Sequence, residues 1–267
     1  MSGRGRASGR GRASRALLGI TGLVAFGGLL ELLPRLGLVP IAYAPPASRI
    51  LAALGTQVRR PEFGAALGDT LRTWLTGLAL AVAAGLVTGV VVGTVPVLRT
   101  ATASTVEFLR PIPSVALIPL AVLLYGTGMR ATLLLVVYAS FWQVLVQVLH
   151  GVADVDPVAR ETAQAYRLGR LARARYLVWP TALPYAVTGV RLATSVALIL
   201  TITGELVIGT PGLGHEIAVA QTSGAVPAMY ALVVVTGLLG VAANVLTRTA
   251  ERRVLAWHPA VRSEAPA

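Results

Sequence analysis

Long apolar runs without charge are the feature that most constrains this chain. The clearest extends over the 26 residues from Thr73 to Leu98. An α-helix of that length rises about 39 Å, which exceeds the ~30 Å hydrocarbon core of a bilayer. Charged residues make up only 13% of the chain and hydrophobic residues 55%, whereas a soluble domain carries about 25% charge. The chain is therefore predicted to be an all-α integral membrane protein.

Similar runs predict about six transmembrane helices, at 16–33, 73–98, 111–129, 131–149, 184–208 and 227–247. We interpret the first as an uncleaved helix rather than a signal peptide, because so many apolar runs follow it. The third contains Pro111, Pro113 and Pro119. A helix broken by proline needs neighbours that satisfy its freed carbonyl groups, so this run is predicted to lie inside the bundle.

Two further patterns bear on packing and orientation. Glycines favour close packing of the second helix against its neighbours; they are Gly77, Gly85, Gly89 and Gly93. All 23 basic residues are arginines, concentrated in 1–15, in 150–182 and after residue 247. Because positive charge marks cytoplasmic segments, both termini are predicted to be cytoplasmic in a multi-pass protein of the plasma (inner) membrane. The predicted domains are a disordered basic tail (1–15), a transmembrane domain (16–251) and a cytoplasmic tail (252–267).

The residues that are missing exclude several chemistries. Without lysine there is neither a phosphate-binding P-loop nor a Schiff base. Without cysteine there is no thiolate site. The three histidines (His150, His215 and His258) are scattered singly, which is not the spacing of a metal site. We expect no catalytic, cofactor or metal residues and no nucleic-acid partner; if ATP drives the protein, another subunit hydrolyses it.

The loop 150–182 is the longest charged stretch of the interior. Asp156 and Pro157 predict a helix start, with an aspartate cap before a proline in the first position. At helical spacing, residues of small or medium size share one stripe: Val158, Thr162, Ala165, Gly169 and Ala172. Periodicity alone leaves two interpretations open, a helix that docks on another protein and a solvated loop helix.

This loop resembles the cytoplasmic "EAA" loop of ABC-importer permeases. It starts with Glu161-Thr162-Ala163 and closes with the segment 179–185, which contains Pro180 and Pro184. Two residues depart from the family pattern. Thr162 replaces an alanine, and the glycine comes two positions late, at Gly169, so that Arg167 stands at the family's glycine position.

The resemblance covers roughly residues 45–250. It continues in Phe108–Pro113, Pro119, Tyr125–Gly128, Gly189–Arg191, Gly204–Leu206 and Gly212–Gly214. In their order and spacing these motifs are similar to the nitrate/taurine/aliphatic-sulfonate branch, whose fold is the type I (MetI-like) permease bundle.

The resemblance implies a permease subunit that forms the pathway for a small anionic solute. It implies as partners two ABC ATPase subunits, a second permease copy or a sister permease, membrane lipid, and a periplasmic or lipid-anchored binding protein. Each ATPase would receive a coupling helix, here about 157–170. The residues implied in this coupling are Arg160, Glu161, Thr162, Ala163, Ala165 and Gly169.

Candidate gate or pathway residues complete the prediction: Glu205, Arg191, Pro111, Pro113, Gly212 and Gly214. An intramembrane carboxylate is a functional-site hypothesis by default. Glu205 is either a gate residue or a carboxylate bonded to nearby backbone such as the Gly212–Gly214 turn. Arg191 either extends its charge to the membrane surface or attracts an anion, with the first favoured.

Two rival functions remain open from the residues. A secondary transporter would need a midplane ion or proton site, and no run carries a central carboxylate. An integral membrane enzyme would need a cluster of ionisable residues at one interface, whereas the loops offer His150, Asp154, Asp156 and Glu161 without metal-ligand spacing.

Overall fold

The computed structural model describes residues 21–22 and 24–257, without the side chain of Arg170. The predicted tail 1–15, the start of the first run and most of the tail 252–267 lie outside the described residues. Within the described part the regular structure is entirely helical. The helices are α1 (24–35), α2 (Ala47–Gln57), α3 (Pro61–Thr94), α4 (Pro96–Leu109), α5 (Ile118–Tyr125), α6 (Met129–Ala153), α7 (Pro157–Ala165), α8 (Arg170–Arg173), α9 (Trp179–Ile208), α10 (Leu213–Thr222) and α11 (Val226–Val254).

Four helical segments of the described part are long and apolar enough to cross a bilayer: Pro61–Thr94, Met129–Ala153, Leu171–Ile208 and Val226–Val254. The pair α4 and Ser114–Tyr125 would make a fifth span, bent by 84°. These spans confirm the all-α membrane fold. The first predicted span, 16–33, begins outside the described residues.

Helix α6 is the centre of the molecule, with α3 on one side and α9 on the other. The glycines of α3 allow α3 and α6 to pack closely. A Cβ at Gly77 would lie 2.5 Å from Val136 Cγ1, and a Cβ at Gly85 would lie 2.7 Å from Val144 Cβ. The contact continues from Gly89 to Val148 and from Gly93 to Val152. A row of glycines thus receives a row of valines, which confirms the predicted close packing.

Helix α9 starts in an irregular, proline-rich segment. Residues Ala174–Val178 form a single wide π turn ahead of Trp179, a local arrangement that often marks functional segments. Pro184 lies inside the helix, where its ring removes one backbone hydrogen bond. The carbonyl freed by the missing amide is that of Pro180, four positions earlier, and the Pro184 carbonyl accepts an additional hydrogen bond from Thr188 Oγ1 at 3.0 Å. Despite the missing bond, the helix continues to Ile208.

The prediction that the third run lies inside the bundle is wrong for the single chain. α4 has no buried residue, and α5 buries only Ala121. The helix breaks at 110–113, and one freed carbonyl is satisfied, since Tyr138 Oη of α6 donates to Leu109 O at 2.6 Å. The other side of the segment exposes Phe108, Leu123 and Leu124. The prolines indicated that other parts of the protein must pack over this backbone. They could not show that the rest of the same chain packs over only one side of it.

Candidate functional site

The predicted coupling helix forms, but it is shorter than 157–170. Asp156 Oδ1 accepts a hydrogen bond from the Val158 amide at 2.9 Å, and Pro157 occupies the first helical position. This confirms the predicted helix start. The helix α7 ends at Ala165, which corrects the predicted end at 170.

Arg167 terminates α7 in the left-handed conformation, with φ of 53°. Its amide donates to Gln164 O at 2.8 Å, and the Leu168 amide donates to Ala163 O at 3.0 Å. This pair of bonds is the Schellman arrangement, in which glycine normally takes the left-handed position. Gly169 does not have a left-handed backbone. Arg167, and not Gly169, therefore occupies the left-handed position in which a glycine is usual.

Of the residues predicted for coupling, one is buried against the rest of the chain and the others are exposed. Ala163 is buried against the chain, and Ala159 is half-buried. The other predicted coupling residues are exposed: Arg160, Glu161, Thr162, Ala165 and Gly169. Of the predicted stripe, Val158 is also exposed. The face of small side chains is thus free in this chain, as a docking helix requires.

A bond that the sequence analysis missed links the two ends of this loop. Tyr185 Oη in α9 donates to Asp154 Oδ2, directly after α6, at 2.8 Å. Close contact reinforces it, because a Cβ at Gly151 would lie 2.8 Å from Ala182 Cα. α7 therefore follows directly after the point where the end of α6 is joined to α9. The residue types alone gave no signal for this pair, which lies 31 positions apart.

At the other end of α9, Glu205 lies in a fully enclosed cluster. Its Oε2 accepts hydrogen bonds from Thr70 Oγ1 of α3 and from the Gly214 amide, both at 2.9 Å. The Thr70 hydroxyl also accepts the Leu213 amide at 2.8 Å. Glu205 is 0% exposed, and its Oε1 has no hydrogen-bond partner among the described residues. The carboxylate thus joins α3, α9 and the start of α10.

Both predicted turn glycines are needed for this cluster. A Cβ at Gly212, whose φ is +150°, would lie 2.2 Å from Glu205 Cδ. A Cβ at Gly214 would lie 2.4 Å from Ile202 O. A second contact holds the same turn, because Thr132 and Thr210 hydroxyls lie 3.1 Å apart. Of the two interpretations of Glu205, the geometry is that of a carboxylate bonded to the Gly212–Gly214 turn.

Arg191 has a partner that the sequence analysis did not identify. Its Nη1 donates to Glu251 Oε2 of α11 at 3.1 Å, and both side chains are partly exposed. The pair joins α9 to α11 across 60 residues of sequence, a distance over which periodicity gives no register. The guanidinium is therefore engaged within the chain rather than left to attract an anion.

Pro111 and Pro113 lie at the break between α4 and α5, and both are exposed. Between this segment and α6 is an open groove of about 890 Å³. Its lining is mostly apolar and aromatic, and Arg130 is its only charged side chain; the residues are Leu109, Ile112, Leu117, Leu120, Tyr125, Arg130, Leu133, Leu134, Val137, Tyr138, Phe141 and Trp142. Within 21–22 and 24–257 no cluster of three His, Asp or Glu residues could hold a metal ion.

Comparison with known proteins gives this geometry a context. A family model described as binding-protein-dependent transport system inner membrane component matches residues 77–256. The chain is 29% identical over 232 residues to the taurine transport system permease protein TauC of Escherichia coli (strain K12), covering 85% of this chain and 84% of that protein. It is 23% identical over 189 residues to the nitrate import permease protein NrtB of Leptolyngbya laminosa, covering 71% and 68%.

The fold has solved counterparts. The chain superposes on the inward-facing MetNI methionine ABC transporter with a TM-score of 0.60 at 19% identity, covering 77% of this chain and 97% of that one. This confirms the type I (MetI-like) fold. Permeases of this family work with an ABC ATPase and a substrate-binding protein and are not enzymes, which excludes both rival functions. The chain belongs to the binding-protein-dependent transport system inner membrane component family, and it is the permease subunit of an ABC importer.

Proposed function

We propose that this permease imports a small anionic solute as a pair of copies of the same chain, with α7 of each copy docked on a cytoplasmic ATPase. The observation that carries the proposal is the shape of α7. Its N-terminus is capped by Asp156, Ala163 holds it against the chain, and its small-residue face is exposed. α7 directly follows the Asp154–Tyr185 bond that joins α6 to α9. A displacement of α7 by the ATPase is therefore transmitted to two spanning helices.

The broken segment between α4 and α5 supports the pairing of two permeases. Irregular backbone at membrane depth is tolerated only where protein covers it or where it lines a water-filled cavity. In the single chain this segment leaves Phe108, Leu123 and Leu124 exposed. A second copy of the chain, packed on this face, supplies the cover. The groove beside Arg130 then lies next to the boundary between the two copies.

The relatives and the groove together support an anion as substrate. One relative is named for taurine transport and another for nitrate import, and both of these solutes carry a negatively charged oxygen group. The groove beside the broken segment contains one arginine and no carboxylate. Its charge therefore complements an anion. Glu205, whose carboxylate would repel an anion, is enclosed away from solvent and holds the 209–214 turn.

The proposal also includes the orientation of the chain in the membrane, its contact with lipid and its partners. Both termini and α7 lie in the cytoplasm, supported by the arginines of the tail 1–15 and of the loop 150–182. The apolar faces of α3 and α11 contact membrane lipid, supported by the exposed Leu80, Val87, Leu238 and Val241. The chain carries no cofactor, ATP is bound by the partner ATPase, and nucleic acid is not a partner.

Uptake by reconstituted vesicles tests this function. The permease, its ATPase and its binding protein are reconstituted in liposomes with ATP inside, and labelled nitrate, an alkanesulfonate and an uncharged sugar are offered in turn. We expect ATP-dependent accumulation of an anion and none of the neutral solute. Accumulation of the neutral solute, with no anion transported, would refute the anion assignment.

A further inference from the structure

Arg167 has a backbone conformation that suits glycine better than arginine. With φ of 53°, it is the one non-glycine residue of the described part that has a positive φ. A side chain in the left-handed region meets its own backbone, and glycine avoids this cost. The Schellman bonds from Arg167 and Leu168 use backbone atoms only, so glycine could form them as well. The turn does not need an arginine.

The arginine side chain is not used inside the chain either. Arg167 is exposed, and no ion pair or side-chain hydrogen bond joins it to another residue of 21–22 and 24–257. Strained residues persist where the surrounding structure or a function compensates for them. The Schellman bonds support the backbone of this turn, but no contact within the described chain uses the Arg167 side chain, so we look for its partner outside the chain.

The neighbours of Arg167 form a surface of the kind found at protein interfaces. Tyr166 is 77% exposed and Leu171 is 84% exposed, and Leu168 is also exposed. Val158 adds an exposed apolar side chain at the start of α7. Tyrosine and arginine are enriched among residues that dominate binding energy, and apolar neighbours exclude water around them. Tyr166, Arg167, Leu168 and Leu171 thus form an exposed segment that follows α7 directly in the chain.

We propose that Arg167 is the charged anchor of the ATPase-docking surface, pairing with a carboxylate of the ATPase subunit while Tyr166, Leu168 and Leu171 cover the contact. A guanidinium can bind a carboxylate through two parallel hydrogen bonds, and the apolar cover strengthens that pair by excluding water. The inference rests on the proposed docking of α7 and names the chemistry of its partner.

Affinity measurements with the ATPase test the role of Arg167. The purified permease in detergent is titrated with the ATPase subunit at two salt concentrations, as wild type, Arg167→Gly, Arg167→Lys and Arg59→Gly. Arg59 is a matched control because it is also exposed and lies outside α7 and its loop. Arg167→Gly relieves the backbone, so its thermal stability should equal or exceed that of wild type. Where the measured Tm of this variant is at least that of the wild type, its loss of binding cannot be caused by misfolding.

We expect Arg167→Gly to weaken binding on the order of tenfold or more, as removal of a hot-spot residue does. Arg167→Lys keeps the charge without the planar fork, so its affinity should fall between the two. The wild type should lose affinity with salt more steeply than Arg167→Gly. Arg59→Gly should bind as the wild type does.

Each contrary outcome has a separate meaning. Equal or tighter ATPase binding by Arg167→Gly would overturn the inference while leaving the coupling role of α7 intact. Weaker ATPase binding by Arg167→Gly in nanodiscs of anionic lipid, with unchanged affinity in detergent and in nanodiscs of neutral lipid, would assign Arg167 to the membrane surface and also overturn it. Absence of ATPase binding by the wild type would overturn the docking of α7 and the inference with it.

Discussion

At the residue scale, Glu205 shows how one buried carboxylate can hold a turn. Its Oε2 accepts bonds from Thr70 and Gly214, which belong to separate helices. An unsatisfied buried carboxylate would be costly, and bonds from an amide and a hydroxyl offset part of that cost. The arrangement requires that the turn lie directly on the carboxylate, and Gly212 and Gly214 permit this approach.

A substitution at Gly212 should therefore disrupt the cluster. In Gly212→Ala the new Cβ would lie 2.2–2.5 Å from the Glu205 carboxyl atoms at a φ of +150°. We expect a loss of about 2–3 kcal/mol of stability, seen as a fall of about 5–10 °C in Tm in detergent. Gly68→Ala is the control, since a Cβ there meets no atom within 4 Å. Equal Tm values for the two variants would contradict the role of Gly212.

Part of this site could be predicted from sequence and part could not. A glutamate followed by Gly212 and Gly214 in a short turn indicated a local bond, because the spacing along the chain is small. Thr70 lies 135 residues from Glu205, and Glu251 lies 60 residues from Arg191. Contacts over such distances depend on helix register, which an apolar run does not define.

At the element scale, the α3–α6 contact is a row of glycines facing a row of valines. The residues are Gly77, Gly85, Gly89 and Gly93 against Val136, Val144, Val148 and Val152. In lipid, packing rather than the hydrophobic effect holds helices together. The sequence predicted this from glycine spacing alone. The end of α7 was predicted wrongly, because a left-handed arginine carries no signal comparable to that of glycine.

Paired substitutions can test this contact. In Gly77→Ala the new Cβ would lie 2.5 Å from Val136 Cγ1, so we expect a loss of about 1–3 kcal/mol. Val136→Ala removes that methyl and leaves Val136 Cβ at 3.0 Å from the new atom. The double variant should recover about 1 kcal/mol relative to the sum of the single variants. Thermal unfolding in detergent measures all four proteins, and strict additivity would contradict the contact.

At the scale of the whole molecule, the exposed broken segment between α4 and α5 is the feature on which the proposed pairing rests. The proline pattern indicated that this backbone must be covered, and the single chain covers only one side of it. The sequence could not show which protein supplies the rest, since a face that is complementary to a second copy has no periodic signature. The proposed pairing on the α4–α5 face would cover the exposed apolar side chains there.

Cysteine cross-linking tests the pairing directly, because the chain has no cysteine. Leu123→Cys places a thiol on α5 at a position that is 82% exposed, and Leu246→Cys does so on α11 at one that is 70% exposed. With a short bifunctional reagent in membranes, we expect a cross-linked dimer from Leu123→Cys and little from Leu246→Cys. A dimer from Leu246→Cys alone would place the interface on α11.

The central claim is that α7 couples this permease to an ATPase, and the most direct measurement is the ATPase activity of the reconstituted complex. Ala165→Glu adds a bulky charge on the exposed face of α7, and Ala52→Glu adds the same charge on an exposed position of α2. We expect substrate-loaded binding protein to stimulate ATP hydrolysis in the wild type and in Ala52→Glu. Stimulation should be lost in Ala165→Glu, and full stimulation in that variant would contradict the coupling role of α7.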